Sequence, residues 1–327
     1  MKRLFLFLII ISYTISYGRL GGSGASFLEI GSGGKALALS GAYSALAEGI
    51  DALYYNPSGI AKMKQNALQF SYTPYFADMT YQTVGAVFNL GMLGNVGFSF
   101  ITLQSGDIEI TTLEEQNGTG EFYNANDYAL GISFARELTD KFSAGGTIKF
   151  IKEGIDEVSS FGWSVDLGAT YNTGWKNLRF GFAILNFGPD MQFKGDALKF
   201  HTRTEEDNQL MEEDVLAEYE TKEYPLPLIF QIGVAYDVVN TPDYRLTLAF
   251  DKVNPTDQDE TFAVGTEFVY RDLLSLRAGY SDRNTKNFSA GAGLKLNLGG
   301  AFAIIDYTFQ NHKYLSALHT FTVSFMF

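Results

Sequence analysis

The chain has 327 residues, of which 46% are hydrophobic and 15% aromatic, with 28 Phe and 19 Tyr, no Cys and a formal net charge of −13 at pH 7. The lack of cysteine excludes disulfides, thiolate-held metals and thiol catalysis, and the acidic balance excludes a nucleic-acid partner, because phosphate binding needs a basic surface. A mean hydropathy of −0.02 in so apolar a composition shows that apolar residues alternate with polar ones, as in half-buried strands.

The N-terminus reads as a targeting signal. Lys2 and Arg3 form a basic region, Leu4 to Ile11 an apolar run, and Ser16 and Gly18 are small residues placed for cleavage after Gly18. The apolar run is too short to cross a bilayer, which takes about 20 residues, and no cysteine follows it for a lipid anchor. Residues 1–18 are thus expected to be a signal peptide.

Residues 19–65 read as a compact plug. Within GGKALALSGAYSALAEGIDALYYNPSGIA (33–61), Lys35 to Ala47 form a small-residue helix ended by Gly49, and Asn56-Pro57-Ser58-Gly59 a turn. A phosphate loop is excluded, because Ala36 stands where Ser or Thr is required and no strand precedes the glycines. Placed just before the first strand, this unit would sit at a periplasmic mouth or fold back into a lumen.

From residue 66 to 327, period-2 alternation recurs in about fourteen segments: 66–74, 80–90, 95–104, 126–137, 141–152, 160–172, 176–187, 227–239, 243–252, 261–271, 273–282, 286–297, 300–310 and 316–327. An even number of strands about ten residues long, bulky on one face and small or polar on the other, predicts an all-β fold, a transmembrane antiparallel barrel. No other stretch is apolar for long enough to span, and a closed barrel is the remaining solution that pairs all its own backbone groups. Connections support it. They are tight at 91–94, 138–140, 173–174, 240–242, 272 and 299, and mostly longer between, at 105–125, 153–159, 188–226, 253–260 and 311–315.

The small-residue face also carries charges of both signs: Lys149, Asp166, Arg179, Arg245, Asp251, Glu267, Arg277, Lys295 and Asp306. A paired lumenal ladder follows, since an isolated buried charge is costly, and Asp251 and Glu267 read as members of its salt bridges. The ladder either braces the wall or faces a ligand. Glycines on the same face, at 131, 145, 162, 168, 181, 233, 265, 279, 291 and 293, leave room for something inside. That face, mostly Gly, Ser, Thr and charge, argues against an apolar lumenal pocket.

The acidic stretch TEEDNQLMEEDVLAEYETKEYPLP in the loop at 188–226 has no EF-hand spacing and is read as a solvated outer loop, a partner-docking surface or a cation site, with Met211 to Tyr219 as a short helix. Only His201, His312 and His319 are present, so neither a metal triad nor a catalytic set is expected; Ser281 or Ser316 near His312 is the kind of pair any barrel offers by chance. No cofactor or metal is expected, and the protein is not expected to be an enzyme.

The stretch KALALSGAYSALAEGIDALYYNPSGIA resembles the N-terminal signature of the FadL-like outer-membrane proteins, and more closely that of their PorV/PorQ branch, through Gly41, Ala42, Tyr43, Ala45, Leu46, Ala47, Asp51, Ala52, Leu53, Tyr54, Tyr55, Asn56, Pro57, Ser58 and Gly59. The terminal Phe327, with Phe325 and Phe321, resembles the end strand that barrel-assembly machinery recognises. The resemblance implies a bacterial outer-membrane location, a 14-stranded barrel with an N-terminal plug or hatch, and one of two functions. A PorV-like protein would engage exported proteins or secretion-complex subunits (type IX-like) through its outer loops, the reading placed first here. A FadL-like one would pass fatty acids or other hydrophobic small molecules.

Overall fold

The computed structural model describes residues 22–203, 214–283, 286–313 and 316–327. The expected signal peptide at 1–18 and residues 204–213 of the acidic loop lie outside them. Fourteen antiparallel strands build the barrel: β1 Ala67–Pro74, β2 Thr80–Asn89, β3 Asn95–Gln104, β4 Ala125–Thr139, β5 Phe142–Ile155, β6 Val158–Asn172, β7 Arg179–Phe187, β8 Ile229–Asn240, β9 Tyr244–Pro255, β10 Thr261–Tyr270, β11 Leu274–Ser281, β12 Lys286–Asn297, β13 Phe302–His312 and β14 Leu318–Met326. Each strand pairs with its neighbours in the chain, and β1 pairs with β14 from Ala67↔Met326 to Tyr72↔Phe321. That pairing closes the barrel and removes both sheet edges.

Alternation sorts the side chains as expected. Phe134, Ile148 and Phe150 stand half-exposed on the outer face, while Ser133, Thr147 and Lys149, one position away, are buried inside. A continuous outer surface of Phe, Leu, Ile and Tyr is stable only against lipid, and the protein is an outer-membrane β-barrel. Phe321, Phe325 and Phe327 of the last strand belong to this surface. His319 also lies outside, its Nδ1 2.7 Å from the Tyr307 hydroxyl.

Strand boundaries follow the sequence reading to within about three residues. One connection differs. The expected loop at 153–159 is a two-residue turn, Asp156–Glu157, because β5 and β6 continue their ladder as far as Ile155↔Val158. Asp156 takes φ 53° to make it. The expected helix at Met211–Tyr219 is also not formed where it is described. Asp214–Glu218 is a strand paired in a hairpin with Lys199–Arg203. The short-turn end, where Asn66 and Phe327 exchange backbone hydrogen bonds of 3.0 and 2.9 Å, is the periplasmic end by the asymmetry of such barrels.

Candidate functional site

Residues 22–66 lie within the barrel and run its length. At the long-loop end, Gly24 N–H donates to the Pro225 carbonyl (3.0 Å) and Ala25 N–H to Glu153 Oε1 (2.8 Å). Glu29 accepts from Gln258 Nε2 (2.6 Å) and faces Arg283 (3.4 Å). At the short-turn end, the Asn95 amide lies 2.5 to 3.2 Å from the carbonyls of Ile60, Ala61 and Met63.

Only two short α-helical turns form, α1 Gly34–Ala38 and α2 Ala52–Tyr55, followed by a 3₁₀ turn, Pro57–Lys62. The helix expected over 35–47, capped by Gly49, stops at Ala38. Gly41 N–H bonds to the Ala36 carbonyl and Ser40 N–H to Leu37, both at 3.0 Å, which is the Schellman pattern. It places Ser40 at φ 55° and Gly41 at φ 84°, so Gly41 supplies the stop that sequence reading assigned to Gly49.

The glycine-rich entry to α1 does cradle an anion, the chain's own Asp51. Asp51 Oδ2 accepts from the N–H groups of Lys35 (3.2 Å) and Ala36 (3.4 Å), and Oδ1 from Gln69 Nε2 on the wall (2.6 Å). Gly33, at φ 81°, packs so close that a Cβ there would strike the carboxylate. Burial, helped by Asp306, raises the Asp51 pKa to about 6 against the hydrogen bond from Gln69.

The other motif residues serve the same packing. Tyr43 donates to the Glu48 carbonyl (2.6 Å), and its ring meets Tyr55 edge-on at 5.5 Å. The Tyr55 hydroxyl accepts from Ser32 N–H (3.2 Å), and Tyr54 donates to the Val84 carbonyl (2.9 Å). Asn56 caps the 3₁₀ turn that Pro57 opens, accepting from Ser58 N–H (3.2 Å) and donating to the Ser44 carbonyl (2.8 Å). Gly59 packs against the Ala47 backbone.

The lumenal charges divide into three groups. Arg277 bridges Glu267 (2.8 Å) and Asp306; Glu267 also pairs with Lys35 of the plug (3.0 Å) and lies 3.7 Å from Arg245. Lys35 in turn binds Glu48 at 2.6 Å, so the network joins plug to wall. A second group is internal to the wall: Lys149 with Asp166 (2.7 Å), beside a bulge at Asn186, and Arg179 with Asp237 (3.1 Å). Lys295 stands apart at the rim with Asp272 (2.6 Å).

Asp251 corrects the ladder expectation. It is fully buried, and its Oδ2 accepts from Tyr43 N–H (3.2 Å), Ser44 N–H (2.8 Å) and Gln231 Nε2 (2.8 Å). Among the described residues it makes no salt bridge; its role is to hold plug backbone. Thr308 does likewise, donating to the Gly34 carbonyl (2.7 Å). The irregular plug leaves many backbone groups without helix or strand partners, and buried groups of that kind must be paired. Polar side chains on the wall pair them.

Most inner-face glycines accommodate the same segment. A Cβ would meet Pro57 at Gly145 (2.8 Å) and Leu39 at Gly265 (2.9 Å), and would strike Asn56 at Gly168, Ser44 at Gly181 and Gly233, the Leu39 backbone at Gly279 and Ala38 at Gly291. Gly131, Gly162 and Gly293 instead meet wall or loop side chains.

Two regions of the lumen remain distinct. Toward the short turns, a mixed-charge cavity of about 390 Å³ opens beside Lys35, Glu48, Arg245, Glu267 and Lys295. Toward the long loops, an apolar cluster is built from Tyr81, Ile101, Ala129 and Ile151 of the wall with Met191 and Leu226 of the long loop, and Phe27 of the N-terminal segment fills its centre, 1% exposed. The mostly polar composition of the inner face argues against an apolar lumenal pocket; the cluster shows that this face is apolar toward the long loops, where it packs on Ala25 and Phe27. Polar and glycine residues line the half that holds residues 33–62. The residues missed by sequence reading, Lys35, Glu48, Phe27, Asn95 and Asp237, share one cause: each acts through a partner distant in sequence.

No protein-family model matches the chain, and no curated protein is similar to it in sequence. Solved structures share its fold. The Pseudomonas putida toluene transporter TodX superposes with a TM-score of 0.60 at 12% identity, over 90% of this chain and 98% of that one. The CymD monoaromatic hydrocarbon channel gives 0.59 at 11% identity, over 91% and 97%. A Pseudomonas aeruginosa FadL homologue gives 0.52 at 11% identity, over 95% and 99%. The likeness is one of architecture, that of FadL-like outer-membrane barrels.

Proposed function

We propose that this barrel passes hydrophobic small molecules across the outer membrane, taking them up through the apolar site in the outer half of its lumen. The observation that carries this reading is the cluster around Phe27. Inward Tyr81, Ile101 and Ile151 bury the Phe27 ring of the N-terminal segment, so withdrawal of that ring would leave an apolar site in the outer half of the lumen. An aromatic side chain, supplied by the protein's own N-terminal segment, occupies a pocket of matching chemistry, and a small apolar ligand would gain the same burial, about 25 cal/mol per Å². The solved barrels of this architecture that are named for what they carry, a toluene transporter and a monoaromatic hydrocarbon channel, support the same class of cargo.

The PorV/PorQ-like secretion reading, placed first by the motif, has less support. The motif residues are engaged in packing the plug, which either function would require, and two of the solved barrels that share its fold are named as a toluene transporter and a monoaromatic hydrocarbon channel. Uptake separates the two. Radiolabelled toluene and oleate would be offered to outer-membrane-competent cells expressing the protein, its Leu226→Glu variant, or neither. Uptake above background that falls with Leu226→Glu supports the channel. Background uptake throughout, with exported proteins co-purifying in mild detergent, refutes it in favour of secretion.

A further inference from the structure

The short-turn end of the barrel carries apolar residues where water-facing hairpin tips would be polar. Each of its six hairpins has one in or beside the turn: Met92, Leu138, Trp175, Val238, Leu273 and Leu298, from 43% exposed at Val238 to 92% at Met92. Two of them mark irregularities in the ladder. The register shifts between Glu137 and Thr139 and again between Asp237 and Val239, so Leu138 and Val238 are the unpaired residues of β-bulges, devices that re-aim a side chain. Tyr171, Tyr244 and Tyr270, also exposed, lie on the strands just inside this ring, at the level where aromatic girdles meet the membrane interface.

The same end bears exposed charges of both signs. Arg136, Lys141, Lys176 and Arg271 flank the turns beside Glu137, Asp140, Asp243 and Asp272; Lys176 Nζ lies 5.8 Å from the Trp175 ring. Apolar residues interleaved with long charged side chains fit a surface that lies in a bilayer interface, the alkyl stems in apolar surroundings and the charges at headgroup level. A globular partner would meet one side of the barrel mouth. A ring that includes every hairpin and is continuous with the lipid-facing belt is met all round only by a leaflet.

We propose that the short-turn end is sunk into the headgroup region of the inner leaflet, with the six apolar residues below the phosphates and the charged side chains of both signs at headgroup level. The periplasmic tips then act as a membrane anchor, and the charged cavity beside Lys35 opens at headgroup level and not into free solvent. This inference stands independently of the cargo.

The chain has two tryptophans, so Trp163→Phe leaves Trp175 as a single reporter in the full-length barrel. Reconstituted into phosphatidylcholine vesicles containing phosphatidylglycerol, Trp175 should be quenched at least twofold by lipids brominated near the headgroup and hardly by aqueous iodide. In native membranes, a photo-crosslinker at Leu273 should yield phospholipid adducts. Quenching of Trp175 by iodide but not by brominated lipid, or protein adducts at Leu273 in place of lipid, would overturn the proposal.

Discussion

Asp251 offers the sharpest test of how the plug is held. Replacing it with Ala removes the acceptor for two plug amides, Tyr43 N–H at 3.2 Å and Ser44 N–H at 2.8 Å, and for Gln231 Nε2. A buried polar group left without its partner costs about 1–3 kcal/mol, so the two amides together weaken docking of this turn by about 2–6 kcal/mol. Since 1.4 kcal/mol is a factor of ten, amide exchange over residues 39–47 should accelerate at least about 30-fold in Asp251→Ala. Asp251→Asn keeps a carbonyl oxygen where Oδ2 stands and should stay within about tenfold of the parent. Hydrogen exchange of the detergent-solubilised barrel, read by mass spectrometry, measures both. The amides of residues 57–63, held separately through Asn95, serve as the internal control, and the barrel strands should be unaffected. Acceleration below threefold in Asp251→Ala would refute the view that wall side chains hold the plug by its backbone.

Three further outcomes follow from the same contacts. Gly279→Val drives a side chain into the backbone of Leu39 and should displace the plug turn, raising ion conductance in planar bilayers; an unchanged conductance would mean that this turn does not seal the lumen. Asp51 has its pKa raised from 3.8 to about 6, first by burial, so docking is strongest below about pH 4 and weakens as pH rises through about 6, by about 3 kcal/mol at 1.36 kcal/mol per unit. Plug-segment exchange should show that slope, and Asp51→Asn should flatten it; a parent profile that is flat between pH 4 and 7 counts against it. We also propose that Phe321, Phe325 and Phe327 are read during barrel assembly. Deleting Phe327, whose N–H and carbonyl bond to Asn66, should then lower the heat-modifiable folded fraction in outer membranes severalfold, and an undiminished fraction would remove that role.

The barrel was legible in the sequence because its signal is local. Alternation in a segment such as Phe321-Thr322-Val323-Ser324-Phe325 states both the strand and its two faces, and the alternation of turn lengths states the closure. The plug was legible only in outline. Ser40-Gly41 terminates α1 by two hydrogen bonds in a stretch whose Ala and Leu content favours continued helix, and the tertiary need to lay Tyr43 and Ser44 against Asp251 prevails over propensity. Met211–Tyr219 failed for a related reason: its described part, Asp214–Glu218, found a strand partner in Lys199–Arg203. The apolar half of the lumen was missed by pooling the inner-facing residues of each strand. Tyr81, Ile101, Ala129 and Ile151 all fall near the long-loop ends of their strands, so position along the strand carried the signal and face alone did not.

The glycines on the inner face and the irregularity of the plug are one structural fact seen from two sides. A regular helix would satisfy its own backbone and ask little of the wall; a chain with two short helical turns leaves N–H and C=O groups that only wall side chains can meet. Meeting them at hydrogen-bond distance brings the plug backbone within reach of the strands, and at that range a Cβ at Gly145, Gly181 or Gly279 no longer fits. The wall therefore needs Asp251, Asn95 and Thr308 at some inward positions and glycine at those between, and the alternating strands present a polar, small-residue face for a reason unrelated to a water-filled pore. Toward the outer end of the plug the wall also meets an apolar side chain. The inward positions turn apolar around Phe27, and the site proposed to receive cargo begins there.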